Sequence, residues 1–220
     1  MYQARSRRER GDVGSIEVFL VCLRGDVIMD LGIAVWSASA RERMSHFRGG
    51  AGVSRSSQDP VDSAVLWRLL ALHAGHRIAA LYEDTKRLNQ VFEDGDPAMI
   101  GGDADGDIPV DVFLEGWREA DPDVPRLNAH GLLRCTVDDG RLWLGAAHGR
   151  SPAEVSFFRA GVAGAPGNST YDRVNRSLWR FLADHVMHEL TVDVVTELPA
   201  TAIGAVGGES FGDYVAGWPG

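Results

Sequence analysis

Lysine is almost absent from this sequence, and long hydrophobic runs are missing. Lys86 is the single lysine among 22 basic residues, so arginine carries nearly all of the positive charge. Arginine binds phosphate and carboxylate groups through paired hydrogen bonds, which lysine cannot form.

No apolar stretch reaches the length of about 18 residues that a membrane-spanning helix needs. We therefore expect a protein without a membrane partner.

Cysteine is also scarce. Only Cys22 and Cys135 occur, and each lies in a separate apolar run. Small secreted proteins held together by disulfides carry many more cysteines, so that class is excluded. We interpret both cysteines as buried, reduced thiols, with a single disulfide as the alternative. An intracellular location, in the cytoplasm or in a virion, is the default expectation.

Charge is distributed unevenly along the chain. The first ten residues contain four arginines and one glutamate, a formal charge of +3, so the other 210 residues carry −12 to give the net charge of −9. A short basic arm on an acidic body is typical of a protein that docks to nucleic acid or to an acidic protein surface. The side chains that we expect to bind a partner or phosphate are Arg5, Arg7, Arg8, Arg10, Arg41 and Arg43.

The length and the hydrophobic pattern indicate one compact domain of the α+β class, residues 15–220, that follows a basic arm at residues 1–14. Antiparallel hairpins are expected near both ends of the chain, packed with three to five helices. Residues 37–58 form a loop rich in arginine, serine and glycine, and residues 93–107 form an acidic loop. We predict no internal repeat.

Individual elements follow from periodicity and from turn residues. Alternating apolar runs predict strands at 16–23, 27–36, 132–137, 141–147, 191–198 and 202–206. Helical spacing predicts helices at 61–92, with a bend or break at Gly75, and at 110–120, 151–160 and 171–190.

Two motifs resemble known functional loops without fitting them. Gly208-Glu209-Ser210-Phe211-Gly212 matches the nucleophile elbow of α/β-hydrolases. In that fold a histidine follows the serine, whereas no histidine follows Ser210 here. Asp103, Asp105 and Asp107 have the initial spacing of a calcium-binding loop, but the glycine and glutamate that must follow are absent. We predict a solvated acidic loop and no serine nucleophile.

Two histidine pairs have a spacing that suits a metal. His73/His76 and His185/His188 are each three residues apart, so both members of a pair would lie on one side of a helix. No recognised zinc motif surrounds them, and neither cysteine has a second ligand nearby in the sequence. We expect hydrogen-bonded core histidines and assign no metal ligand and no cofactor, with metal binding by either pair as the open alternative.

Our main hypothesis is a non-enzymatic structural or binding protein that acts by association in a larger assembly, such as a viral or phage capsid or a capsid-associated protein. Its partners would be protein subunits, and nucleic acid reached through the basic arm. Two alternatives stay open: a hydrolase or transferase that uses histidine with an acidic residue, and a small-molecule-binding regulatory domain. The histidines proposed for such an enzyme are His130, His148, His185 and His188.

Deletion of residues 2–14 tests the association hypothesis. An arm contributes little to a hydrophobic core, so we expect the deletion to abolish association while thermal stability stays nearly unchanged. Size-exclusion chromatography with light scattering, at about 50 and about 500 mM salt, measures the effect because phosphate contacts weaken as salt rises. A deletion that unfolds the protein would show that the arm belongs to the fold.

Overall fold

A computed structural model describes residues 13–24, 27–37, 47–48, 60–117, 121, 123–162 and 169–218. The arginines expected to bind a partner, Arg5, Arg7, Arg8, Arg10, Arg41 and Arg43, lie outside these residues. Their role therefore stays a prediction.

Strands dominate the described residues. The strands are β1 (Val13–Cys22), β2 (Val27–Ser37), β3 (Phe47–Arg48), β4 (Arg77–Tyr82), β5 (Ala98–Ile100), β6 (Arg126–Cys135), β7 (Arg141–Ser151), β8 (Glu154–Phe158) and β9 (Glu189–Val195). The helices are α1 (Pro60–Leu72), α2 (Lys86–Asp94), α3 (Val110–Phe113), α4 (Ser169–Asp184) and α5 (Phe211–Tyr214), with a 3-10 turn at Arg159–Val162. None of these helices is both long and apolar enough to span a membrane.

All nine described strands belong to one mixed sheet, which curls into a half-barrel. Its strand order is β3-β2-β1-β4-β9-β6-β7-β8, and β5 pairs in parallel with β2. The expected α+β architecture, with hairpins near both ends packed against three to five helices, is therefore wrong. The hairpins β1–β2 and β6–β7 form where they were predicted, but both are parts of a continuous sheet that the short helices only cover.

The error arises mainly at two strands that resemble helices in sequence. The helix expected at 61–92 ends at Leu72, and the strand β4 follows. Residues 78–81 of β4 are fully buried, so the strand lacks the alternation of apolar and polar residues that distinguishes a strand from a helix. The helix expected at 151–160 is also absent. Ser151 and Glu154 do not cap a helix but pair across the turn between β7 and β8.

The described fold consists of two repeats, residues 13–117 (repeat 1) and 126–218 (repeat 2). Each repeat has a hairpin, a third strand, a helix and a fourth strand that pairs with the first strand of its own hairpin. The strand registers match as well: Cys22 pairs with Ile78 in repeat 1, and Cys135 pairs with Leu190 in repeat 2.

The repeat is also present in the sequence, so the prediction of no internal repeat is wrong. Seven of the eleven residues from Leu66 to His76 are identical to those from Leu178 to His188, including the tripeptide Leu-Trp-Arg and both histidines. In the hairpins, Gly32 and Gly145 occupy equivalent bulges with φ of 95° and 100°, a backbone conformation that favours glycine.

The two repeats meet through symmetric contacts. In the antiparallel pair of β4 and β9, Ile78 lies opposite Leu190, its own counterpart, so a pseudo-twofold axis passes between them. The helices repeat this symmetry. Trp67 Nε1 donates a hydrogen bond to Asn175 Oδ1 at 2.8 Å, and its counterpart Trp179 donates to Ser63 Oγ at 3.3 Å. Because Asn175 and Ser63 are themselves counterparts, each repeat supplies one donor and one acceptor.

The two faces of the sheet are covered differently. On one face, α1 and α4 pack on both repeats and form the main core. On the other face of repeat 1, α2 covers a second apolar cluster that includes Val21 and Leu81. Repeat 2 has no such helix among the described residues, and the counterparts Arg134 and Asp193 form a partly exposed ion pair at 3.1 Å. The apolar residues Val21 and Leu81 of repeat 1 are thus replaced by charged residues in repeat 2, where no described helix covers them.

The change Trp67→Phe tests the contact between the repeats. It leaves the Asn175 amide buried without its donor, so we expect the free energy of unfolding to fall by about 1–3 kcal/mol. Urea denaturation followed by circular dichroism measures the change. Trp143→Phe is the matched control, because Trp143 Nε1 has no hydrogen-bond partner among the described residues. Equal losses in the two variants would show that the hydrogen bond contributes nothing beyond ring size.

Candidate metal centres

The topology brings each cysteine next to a histidine pair. In each repeat the cysteine is the last residue of the first strand, and the histidine pair lies between the helix and the fourth strand. The first and fourth strands of each repeat are antiparallel neighbours, so the end of the first strand lies beside the beginning of the fourth. Residues about 50 positions apart in sequence therefore converge at one corner of each repeat.

In repeat 1 the cluster consists of Cys22, His73 and His76, which we call site 1. His76 Nδ1 lies 3.7 Å from Cys22 Sγ and 3.2 Å from His73 Nδ1. Cys22 and His73 are buried, and His76 is partly exposed. All three potential ligand atoms lie within 4.8 Å of one another.

In repeat 2 the cluster consists of Cys135, Asp138 and His188, which we call site 2. His188 Nδ1 lies 3.4 Å from Cys135 Sγ and 3.6 Å from Asp138 Oδ2. Asp138 belongs to the turn between β6 and β7, where its Oδ1 accepts a hydrogen bond from Gly140 N at 3.1 Å. The counterpart of His73, His185, lies beside this cluster, with its Nε2 at 3.3 Å from Asp138 Oδ1.

The distances between donor atoms fit a tetrahedral metal ion. Zinc bonds thiolate sulfur at ~2.3 Å and imidazole nitrogen at ~2.0 Å, which places neighbouring donor atoms about 3.3–3.6 Å apart. The contacts around His76 and His188 range from 3.2 to 3.7 Å. In both sites the third pair of donor atoms also lies within 4.8 Å.

The same geometry does not suit a cysteine nucleophile. In a nucleophile–histidine–acid relay, the nucleophile and the acid contact opposite nitrogens of the imidazole ring. Here Cys135 and Asp138 both lie next to Nδ1 of His188. Burial and the neighbouring Asp138 carboxylate also raise the pKa of the Cys135 thiol, whereas a reactive cysteine has a lowered pKa.

No known family model, curated protein or solved structure matches this chain.

The histidines proposed for an enzyme do not form one site. His185 and His188 come together at site 2, but His130 lies in β6 near Trp143, with ring centroids 6.1 Å apart. His148 stacks on Phe157 at 4.4 Å, and burial lowers its pKa.

The serine of the G-x-S-x-G motif has a structural role. Ser210 caps α5: its Oγ accepts a hydrogen bond from Asp213 N at 3.1 Å and donates one to Asp213 Oδ2 at 2.6 Å. Its hydroxyl is thus held by the carboxylate of Asp213.

In the acidic loop, Asp107 Oδ2 accepts a hydrogen bond from Ala104 N at 2.7 Å, a contact within the loop itself.

No local pattern in the sequence connects the cysteines with the histidine pairs, because the partners lie more than 50 residues apart along the chain. The signal that connects them is the repeat: a cysteine, then a helical pattern, then His-x-x-His occurs twice. Cys22 and Cys135 are separated by nearly the same interval as His76 and His188.

Oxidation tests the arrangement of the two thiols. Cys22 and Cys135 lie in one row across β1, β4, β9 and β6, so three strand spacings of about 4.8 Å separate them by about 14 Å. A disulfide needs Cα atoms within about 7 Å, so we expect no disulfide between Cys22 and Cys135 after mild oxidation. Mass spectrometry of non-reduced peptides measures this. An intramolecular disulfide in the folded protein would contradict the strand order.

Proposed function

We propose that the protein binds two divalent metal ions of the zinc class, one in each repeat, as structural ions in a non-enzymatic binding protein. The observation that carries the proposal is the duplication of the site. A cysteine and two histidines recur at equivalent positions of both repeats, and the potential ligand atoms of each repeat gather at distances that suit tetrahedral coordination.

The chemistry of the donors favours zinc over harder ions. Calcium and magnesium prefer oxygen ligands, whereas thiolate together with imidazole is typical of zinc sites. Site 1 offers one sulfur and two nitrogens among the described residues, and site 2 offers sulfur, oxygen and nitrogen. A divalent ion would also compensate the burial of the thiolate form of Cys22 and Cys135.

A structural role follows from the position of the sites. Each ion would join the end of the first strand to the turn that leads into the fourth strand, and those strands occupy the centre of the sheet. Linking residues that are distant in sequence restricts the unfolded chain, and binding to a folded site adds directly to stability. The ions would thus stabilise the strands that connect the two repeats.

The association hypothesis, including a capsid or capsid-associated role, stays a prediction alongside this proposal. Its basis is the charge contrast between the first ten residues and the rest of the chain. A rigid, metal-stabilised body that carries a basic arm is compatible with a non-enzymatic role in an assembly. Metal binding and association are tested separately, so either can fail without the other.

Metal stoichiometry tests the proposal. After chelation and reloading with Zn²⁺, we expect two bound ions in the wild type, one in His76→Gln, one in His188→Gln and none in the double variant. Elemental analysis measures the content, and isothermal titration measures the affinity. Zn²⁺ should raise the midpoint of thermal unfolding of the wild type, because only the folded state gathers the ligands.

His130→Gln is the matched control, since it makes the same change at a histidine distant from both sites and should keep two ions. Replacement of Zn²⁺ by Co²⁺ provides a second readout, because a thiolate ligand produces a charge-transfer band in the near ultraviolet. A wild-type protein without stoichiometric zinc and without that band would refute the proposal.

A further inference from the structure

We propose that a groove beside α2 in repeat 1 binds a terminal phosphate group, either free phosphate or the end of a small phosphomonoester. The groove has a volume of about 280 Å³ and lies between α2, the end of β1 and the beginnings of β4 and β9. Its charged lining consists of Arg24, Arg77, Arg87, Asp94 and Glu189. None of these residues belongs to site 1 or site 2, so the proposal goes beyond the metal centres.

The first argument is the supply of hydrogen-bond donors. Arg77 Nη1 lies 3.3 Å from Glu189 Oε2, and Arg87 Nη2 lies 2.5 Å from Glu189 Oε1. A guanidinium carries several N–H donors in a planar fork, and these contacts engage one nitrogen of each arginine. Arg24 is exposed and forms no ion pair with another described residue. The three side chains can therefore donate to a further oxyanion while Glu189 stays bound.

The second argument is charge. Three arginines and two carboxylates line the groove, which gives a formal charge of +1, whereas the whole chain carries −9. The Asp94 carboxylate is engaged within its own helix, since its Oδ1 accepts a hydrogen bond from Gln90 Nε2 at 2.7 Å. A positive concave site on an acidic protein attracts anions, because its walls concentrate the local field. An anionic group is therefore the expected ligand.

The third argument is that the shared scaffold does not require these arginines. In repeat 2, Val137 occupies the position of Arg24, and Glu189 occupies that of Arg77. Arg87 lies in α2, which has no counterpart among the described residues of repeat 2. Val137 is 66% exposed in its turn, so the turn of repeat 2 forms without an arginine. The three arginines are thus particular to repeat 1, where they line one groove.

The size of the groove and the number of arginines favour a terminal phosphate. Pockets for drug-sized ligands have volumes of about 300–1,000 Å³, so this groove suits a compact group. A terminal phosphate carries about −1.5 to −2 charges at pH 7 and three acceptor oxygens, which match three guanidinium groups. A carboxylate has a single charge and two oxygens, and Glu189 already supplies one to Arg77 and Arg87.

Titration of the full chain with inorganic phosphate, after dialysis to remove unbound metal ions, tests the proposal. We expect saturable binding in isothermal titration. Arg24→Gln and Arg87→Gln should each weaken this binding about 10-fold, because each change removes a charged donor. Glu189→Gln should strengthen it, because a competing carboxylate is lost. Arg150→Gln is the matched control, since Arg150 is exposed but lies outside the groove.

Three further probes define the ligand. Dimethyl phosphate, a phosphodiester with a single charge, and acetate should each bind the wild type at least about 10-fold more weakly than inorganic phosphate. Equal binding of either probe would overturn the assignment to a terminal phosphate. Ethyl phosphate distinguishes the two sources: tighter binding than inorganic phosphate indicates a phosphomonoester, weaker binding indicates free phosphate, and either result supports the proposal.

Two outcomes would overturn the groove as the site: no saturable binding of phosphate to the wild type, or an equal weakening in Arg150→Gln and Arg24→Gln. Elemental analysis should show the same metal content in all variants as in the wild type, so a failure of the metal centres is recorded separately. Should Arg87→Gln fail to fold, Arg24→Gln decides, because no described residue forms an ion pair with Arg24.

Discussion

The antiparallel pairing of β4 with β9 is the interaction on which the rest of the structure depends. It joins two repeats that would otherwise be separate sheets of five and four strands, and its register is symmetric about Ile78 and Leu190. The reciprocal hydrogen bonds of Trp67 and Trp179 fix the helices in the same symmetry. Because both central strands begin directly after a histidine pair, the pairing also determines where the two candidate metal centres lie.

The positions that are identical in both repeats have identifiable physical reasons. The tryptophans form the reciprocal hydrogen bonds. Arg68 and Arg180 each donate to a backbone carbonyl near the end of their own repeat and lie over an aromatic ring, Phe113 or Tyr214. The bulge residues Gly32 and Gly145 are both glycine because their positive φ is a backbone conformation that favours glycine. For the cysteines and the paired histidines, a shared role in binding a metal ion accounts for all three positions at once.

The two repeats differ where their surroundings differ. In repeat 1, Val21 and Leu81 are buried beneath α2, whereas their counterparts in repeat 2, Arg134 and Asp193, are partly exposed and form an ion pair. The candidate sites differ in the same manner, since the turn between β6 and β7 supplies Asp138 and leaves room for His185. A common scaffold thus carries two candidate metal centres of different composition.

The sequence by itself determined the two hairpins, the helix α4 and the start of α1, because their turn residues, caps and periodicity are local signals. Local signals misassigned β4 and β8, since β4 is buried on both faces and β8 begins at a turn that resembles a helix cap. The sequence also contains every residue of both sites, and the repeat could have been recognised there. Only the tertiary structure decided that Cys22 meets His76 and that Cys135 meets His188, because pairing between distant strands brings together residues that no local pattern connects.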